Sequence, residues 1–209
     1  MDSPDIPEAL LHEFHQDLNR IHSLLGTYTT IERFLRADSL PVRSVLDIGC
    51  GAGDLLRYLQ RRMGIHVVGV DPKPGRTSDL SLVAGDAITS DLPRVDVAVC
   101  TMLCHHLTPD ENIALIRNVG RSARRFVILD LIRHPLPLVL FTAFLCPLIG
   151  KGAAADGRQS IRRAFTPEEF REIAQTALNG MPNGSTASVA IDVSPLYSRQ
   201  VVDIRFGAA

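Results

Sequence analysis

The chain has 209 residues, 45% of them hydrophobic and 22% charged, with a formal net charge of −1 at pH 7. That size and composition suit one globular domain with a sizeable core and exclude a wholly disordered chain. A net charge so near zero offers no general electrostatic grip on nucleic acid or on an anionic membrane.

The opening stretch "MDSPDIPEALLHEFHQ" is acidic and broken by prolines. It lacks the basic start and apolar centre of a secretory signal, which fits a cytoplasmic protein. Leu10, Leu11, Phe14, Leu18, Ile21, Leu24 and Leu25 recur at three- and four-residue steps. This predicts one or two helices over 5–37, with a break at Gly26 and a resumption over Tyr28 to Leu35. "ADSLPVR" is a connector.

From Val45 onward, strand-like and helix-like runs alternate. "SVLDIG" predicts a strand, "DLLRYLQRRM" a helix, "HVVGVD" a second strand and "PKPGR" a turn. "LSLVAGDA" reads as a short strand and loop, and "VDVAVCTM" as a fourth strand. "TPDENIALIRNVGRSA" is a helix capped by Thr108, with Pro109, Asp110 and Glu111 in its first turn. "RFVILDLI" is a fifth strand. Apolar strands separated by helices imply a parallel sheet covered on both faces. Right-handed crossovers place the strand C-terminal ends along one edge, where open α/β sheets bind ligands.

The run "HPLPLVLFTAFLCPLIG" is apolar but punctuated by Pro135, Pro137 and Pro147. Crossing a bilayer takes about 20 uninterrupted apolar residues, so a buried helix or greasy lid is expected instead of a transmembrane span. "TPEEFREIAQTAL" is a helix with Thr166 and Glu169 forming a capping box. "TASVAIDV" and "RQVVDIRF", joined by "SPLYS", predict an antiparallel pair at one end of the sheet. One domain over 1–209 is expected: a helical extension (1–40), a ligand-binding core (41–135), an apolar lid insertion (136–165) and a C-terminal helix with strands (166–209).

Cys50, Cys100, Cys104 and Cys146 lie in apolar or glycine-rich runs, as suits buried thiols in a reducing compartment. Cys100, Cys104, His105 and His106 have no second ligand pair at metal-site spacing, so no metal is expected. Two arginine clusters, Arg121, Arg124 and Arg125 with Arg158, Arg162 and Arg163, read as solvated helix ends in preference to an RNA contact.

The chemistry starts at "SVLDIGCGAGDLLRYL". Gly49, Gly51 and Gly53 form G-x-G-x-G, with Asp54 where a dinucleotide fingerprint needs its third glycine. No Gly-Lys-Ser/Thr ending follows, so a phosphate loop is absent too. Asp47 would repel a polyphosphate and suits a cationic ligand. Asp71 ends the second strand about 20 residues beyond the turn, where a carboxylate accepts from a ribose diol. Asp86 follows the third strand and suits an exocyclic amine.

"VLDIGCGAGD", "VVGVDP", "GDA", "VDVAVCTMLCHHL" and "FVILDLI" resemble, in order, the motifs of class I S-adenosylmethionine-dependent methyltransferases. The resemblance covers 44–132 by motif and the remainder by strand pattern. It implies a Rossmann-like, doubly wound sheet of seven strands, mostly parallel with the last antiparallel. It implies S-adenosylmethionine as cofactor, with Asp47, Gly49, Cys50, Gly51 and Gly53 at its methionine part. Asp71 and Pro72 fall at the ribose, Asp86 and Ala87 beside adenine, and Thr101 and Met102 at the end of the fourth strand. "LCHHLTP" is similar to the loop of small-molecule and quinone methyltransferases, whereas base methyltransferases carry Asn/Asp-Pro-Pro-aromatic there.

The expected acceptor is therefore a small lipophilic phenol, quinol or polyketide-like compound methylated on oxygen or carbon, with no nucleic-acid partner. His105 and His106 are the candidate general bases, only one of them facing the pocket if the backbone is extended. A thiol- or arsenite-directed enzyme and a silent cofactor-binding partner subunit are the rivals. A nicotinamide oxidoreductase is weakened by the missing glycine. Whether the chain forms a homodimer is open.

Overall fold

The computed structural model describes residues 26–75, 77–182 and 184–207, so the helix expected before Gly26 lies outside the described residues. Seven strands form one sheet in the order β3-β2-β1-β4-β5-β7-β6. They are β1 (Ser44–Ile48), β2 (His66–Asp71), β3 (Ser81–Ala84), β4 (Val95–Thr101), β5 (Ala123–Leu131), β6 (Ser188–Val193) and β7 (Arg199–Arg205). Strands β1 to β5 pair in parallel. Strand β7 slots between β5 and β6 and runs antiparallel to both. The topology is the one the ordered motifs imply.

Helices cover both faces. On one, α1 (Thr27–Arg36) and α2 (Asp54–Met63) pack Ile31, Leu35, Leu55 and Leu59 onto Val45, Val67, Val97 and Val127. On the other, α3 (Pro109–Val119) and α6 (Pro167–Asn179) pack Leu115, Ile116, Phe170 and Ala174 onto Leu46, Ile48, Ile128 and Val202. Both α3 and α6 begin with complete capping boxes, Thr108 with Glu111 and Thr166 with Glu169. Arg117 of α3 donates to the carbonyls of Thr176 and Ala177 at the end of α6, where a cation also meets the negative end of the helix dipole.

Between β5 and α6 the chain forms α4 (Pro135–Leu140), a π-helical turn (Phe141–Leu145), a 3-10 turn (Cys146–Leu148) and α5 (Lys151–Arg163). Helix α5 was not legible within the predicted lid. Its buried residues are only Ala153, Ala154, Ser160 and Ile161, too small a set to print an apolar stripe. The ring of Phe141 rests against Gly157, where any Cβ would collide with it. Among the described residues no helix is long and apolar enough to cross a membrane.

The arginines of β5 correct the expectation of solvated helix ends. Arg124 and Arg125 lie in a strand, and the Arg125 side chain is 2% exposed. Its Nε and Nη2 donate to Asp203 at 2.7 and 2.8 Å, and its Nη1 donates to the Phe34 carbonyl and to Asp38. Burial alone would raise the Asp38 carboxyl, but the Leu40 N–H, Arg124 and Arg125 outweigh it and hold the group down at about 2. This cluster fastens the end of α1 to β5 and β7. Replacing one partner of a buried pair leaves the other charge uncompensated. Asp203→Ala is therefore expected to cost about 3–5 kcal/mol of stability, read from urea unfolding monitored by circular dichroism.

Candidate active site

The site is built where β1 turns into α2. Gly49, Gly51 and Gly53 have φ of 73°, 52° and 82°, the left-handed region that side chains rarely tolerate. The N–H groups of Gly49 and Cys50 donate to the Val70 carbonyl, which pins the turn to β2. A Cβ on Gly51 would meet nothing within 4 Å, so open space lies against the main chain there. A Cβ on Gly53 would come within 2.5 Å of Leu80.

Asp47 sits opposite Gly69 in the sheet register and is 3% exposed. Its Oδ1 is buried without a hydrogen-bond partner. Burial, then the charge of Asp71, push its carboxyl up to about 8. A buried carboxylate with a vacant lone pair fits a cation, such as the ammonium of an amino-acid moiety.

Asp71 ends β2 and makes two backbone contacts. Its Oδ2 accepts from the Gly51 N–H at 3.0 Å and its Oδ1 from the Lys73 N–H at 2.7 Å. The carboxylate therefore shapes the glycine turn, and each oxygen keeps a second lone pair for a diol. Pro72 is exposed beside it. The Cys50 thiol faces Gly69 under the turn, and burial with Asp47 and Asp71 pushes it up to about 12. Cys50 thus lines the site by its backbone.

Asp86 is exposed and accepts from the Ile88 N–H and the Thr89 hydroxyl. It caps its own turn, as loop aspartates often do. Asn118 of α3 holds that loop through the carbonyls of Ala87 and Ser90, at 2.9 and 2.8 Å. At the end of β4, Thr101 is half-buried and Met102 has a φ of 55°, with its N–H on the Leu129 carbonyl. A positive φ in a non-glycine residue stores strain, commonly at functional sites.

The double histidine is a 3-10 turn (Cys104–His106), not extended backbone, so the two rings do not point to opposite faces. Their centroids lie 4.1 Å apart. Asp130, at the end of β5, accepts from His105 Nδ1 at 2.6 Å and from the His105 N–H at 2.9 Å. The His105 and Asp130 side chains are 3% and 2% exposed. With Nδ1 committed to Asp130, Nε2 is the ring nitrogen of His105 left for other partners. His106 reaches solvent at one side, yet partial burial strips hydration from its charged form, and this, then the charge of His105, lowers its pKa from 6.5. Asn112, unremarked in the sequence, donates to the carbonyls of Cys104, Leu107 and Thr108 and holds the turn from below.

Cys100 and Cys104 lie 3.9 Å apart and buried, and the Cys104 thiol is pushed well above its ordinary range by Cys100 and by burial. The Tyr28 hydroxyl of α1 is raised to about 12 by burial and by the charges of Asp54 and Asp47, which sets α1 beside the glycine turn. A depression of about 450 Å³ lined by Leu35, Asp38, Pro41 and Met63 lies at the opposite edge of the sheet, away from these groups.

Asp47 also sets a pH dependence of stability. Its carboxyl lies at about 8 in the folded chain against 3.8 for the free group, so its contribution is full below about pH 4 and is lost as pH rises towards 8. Asp47→Asn removes that loss. The expected outcome is a gain of about 1–3 kcal/mol near pH 8 and little change near pH 4, read from thermal melts.

Comparison with known proteins agrees with this fold. The family described as "Methyltransferase domain" matches residues 15–130. The curated indolepyruvate C-methyltransferase of Streptomyces griseus is 31% identical over 110 residues, covering 43% of this chain. The match spans about a third (33%) of that relative's length. The plantazolicin methyltransferase BamL, solved with a triazolic desmethylPZN analog and SAH, superposes with a TM-score of 0.70 at 17% identity, over 93% of this chain and 91% of that one. The mitomycin 7-O-methyltransferase MmcR gives 0.55 at 15% identity, over 79% and 49%. With more than half of its length matched by the family description, on a seven-stranded sheet of the class I S-adenosylmethionine-dependent type, the chain belongs to the methyltransferase-domain family.

Proposed function

We propose that the chain methylates a small lipophilic acceptor, on the oxygen or the acidic carbon of a phenol, quinol or enol, with S-adenosylmethionine as donor. The observation that carries the acceptor class is the double-histidine turn, anchored by Asp130 and packed against α5. The indolepyruvate C-methyltransferase supports it by name, since indolepyruvate is an enolisable keto acid. A cytoplasmic enzyme of one domain goes with this reading, divided into helical extension (1–40), core (41–135), lid (136–165) and tail (166–209), with no nucleic-acid partner. A thiol- or arsenite-directed activity is disfavoured by the burial and raised pKa values of Cys50 and Cys104.

The cofactor, when bound, supplies an electrophilic methyl carbon on a sulfonium. Asp47 holds the ammonium of its amino-acid part through the vacant Oδ1, and the glycine turn lets the nucleoside lie against the backbone. Asp71 offers its spare lone pairs to the ribose, and the loop held by Asn118 flanks the base. These contacts fix the methyl for in-line attack, and positioning of this kind supplies about 7–11 kcal/mol of a barrier. His106, neutral at working pH because its pKa is lowered, takes the proton from the phenol or enol. His105, oriented by Asp130, backs its ring. Helix α5, packed on the histidine turn, keeps water from the attacking atom.

A panel of phenols, quinols and indolepyruvate, incubated with the protein and donor, is expected to gain one methyl group by mass spectrometry. Turnover of RNA or protein with none of these would overturn the reading. In calorimetry at pH 7, binding of the donor's demethylated product is expected to release about one proton from Asp47, and none in Asp47→Asn. His106→Ala is expected to lower kcat by about 10²–10⁴ while leaving cofactor affinity intact. The wild-type rate should fall with acid only below 6.5, and this limb should vanish in the variant.

A further inference from the structure

The segment after β5 carries a surface that the proposed chemistry does not use. Residues 135–149 are fifteen in a row without a charged side chain. They are not hidden: Val139 is 61% exposed, Phe144 67% and Leu148 80%. The turn Pro195–Tyr197 packs against α4 and adds Leu196 and Tyr197, 59% and 51% exposed. His134 stacks on Tyr197 with ring centroids 4.9 Å apart. Leu196 and Tyr197 both have positive φ, 64° and 53°. The fold therefore holds strained backbone while showing two large apolar side chains to solvent. Single exposed apolar residues are ordinary, but a contiguous set is a contact surface.

Charge identifies the contact. Between Leu131 and Phe165 there are five cations, Arg133, Lys151, Arg158, Arg162 and Arg163, and one acid, Asp156. This excess sits in a chain whose net charge is −1. We propose that this face docks on an anionic lipid bilayer, with Val139, Phe144 and Leu148 entering the headgroup region and Lys151 and Arg162 meeting lipid phosphates. An apolar face rimmed by cations is the pattern of a helix lying on a membrane, and the segment is too short and too broken to span one. A second copy of the chain fits less well, because a two-fold contact would bring the two cationic rims together. The face follows the C-terminal end of β5, so docking places the histidine turn and its lid helix beside the bilayer. A lipophilic acceptor would then reach the site from the membrane. The docking stands without the acceptor reading, and only this last step rests on it.

The test is flotation of the full chain with phosphatidylcholine vesicles, with and without phosphatidylglycerol, in the absence of cofactor and acceptor. Wild type is expected to float with the anionic vesicles at low salt and to be released by high salt. The double variant Phe144→Glu, Leu148→Glu removes exposed side chains only and is expected to lose at least tenfold in partitioning. Lys151→Glu with Arg162→Glu leaves the apolar residues in place and is expected to lose binding to the anionic vesicles alone. Failure of wild type to float, or flotation unaffected by both variants, overturns the proposal. So does a sedimentation-velocity dimer that Phe144→Glu, Leu148→Glu dissolves, which would assign the face to a second copy.

Discussion

A carboxylate buried without a partner is the constraint around which this structure is arranged. Asp47 stands in the middle of the sheet, next to the point where the strand order reverses between β1 and β4. Folding leaves its Oδ1 unsatisfied, and Asp71 nearby makes ionisation harder still. Packing considerations would place an apolar residue there, as at Val45 and Leu46. The surrounding core can hold such a group because its neighbours are over-determined. The glycine turn is tied to β2, α2 starts from it, and α1 is clamped to the sheet by Arg125 and Asp38. Stability is given up at one point and supplied by the packing elsewhere, as at functional sites generally.

Much of this was legible in the sequence, for local reasons. The strands of a doubly covered sheet are apolar throughout, capping residues mark the starts of α3 and α6, and three glycines at alternate positions admit few backbone paths. Asp47 and Asp71 follow from those elements, because strand ends fix where their side chains begin. What stayed hidden depended on distant partners. Asp71 accepts from the Gly51 N–H, a contact between a strand end and a turn 20 residues apart. Arg125 looks like a surface cation until Asp203, far along the chain, is placed beside it. The 3-10 geometry of the histidine turn is set by Asn112 and Asp130, neither of which carries a local signal for it. Helix α5 escaped because Ile161 is the one large apolar residue on its buried side, beside Ala153, Ala154 and Ser160.

Net charge misleads in a related way. A total of −1 argues against a general attraction of the molecule for polyanions. It averages over a cationic stretch around the lid and an acidic N-terminal stretch, and an interaction at contact range senses the local value within a Debye length. Composition therefore constrains the class of protein better than it constrains any one surface.

The hydrogen bond from Gly51 to Asp71 has a consequence for affinity. The carboxylate at the end of β2 tethers the loop beside it, and the Gly75 N–H grips the Gly51 carbonyl from the other side. A loop held by its own main chain in this way is shaped before any ligand reaches it, so a ligand there is spared the entropy of ordering it.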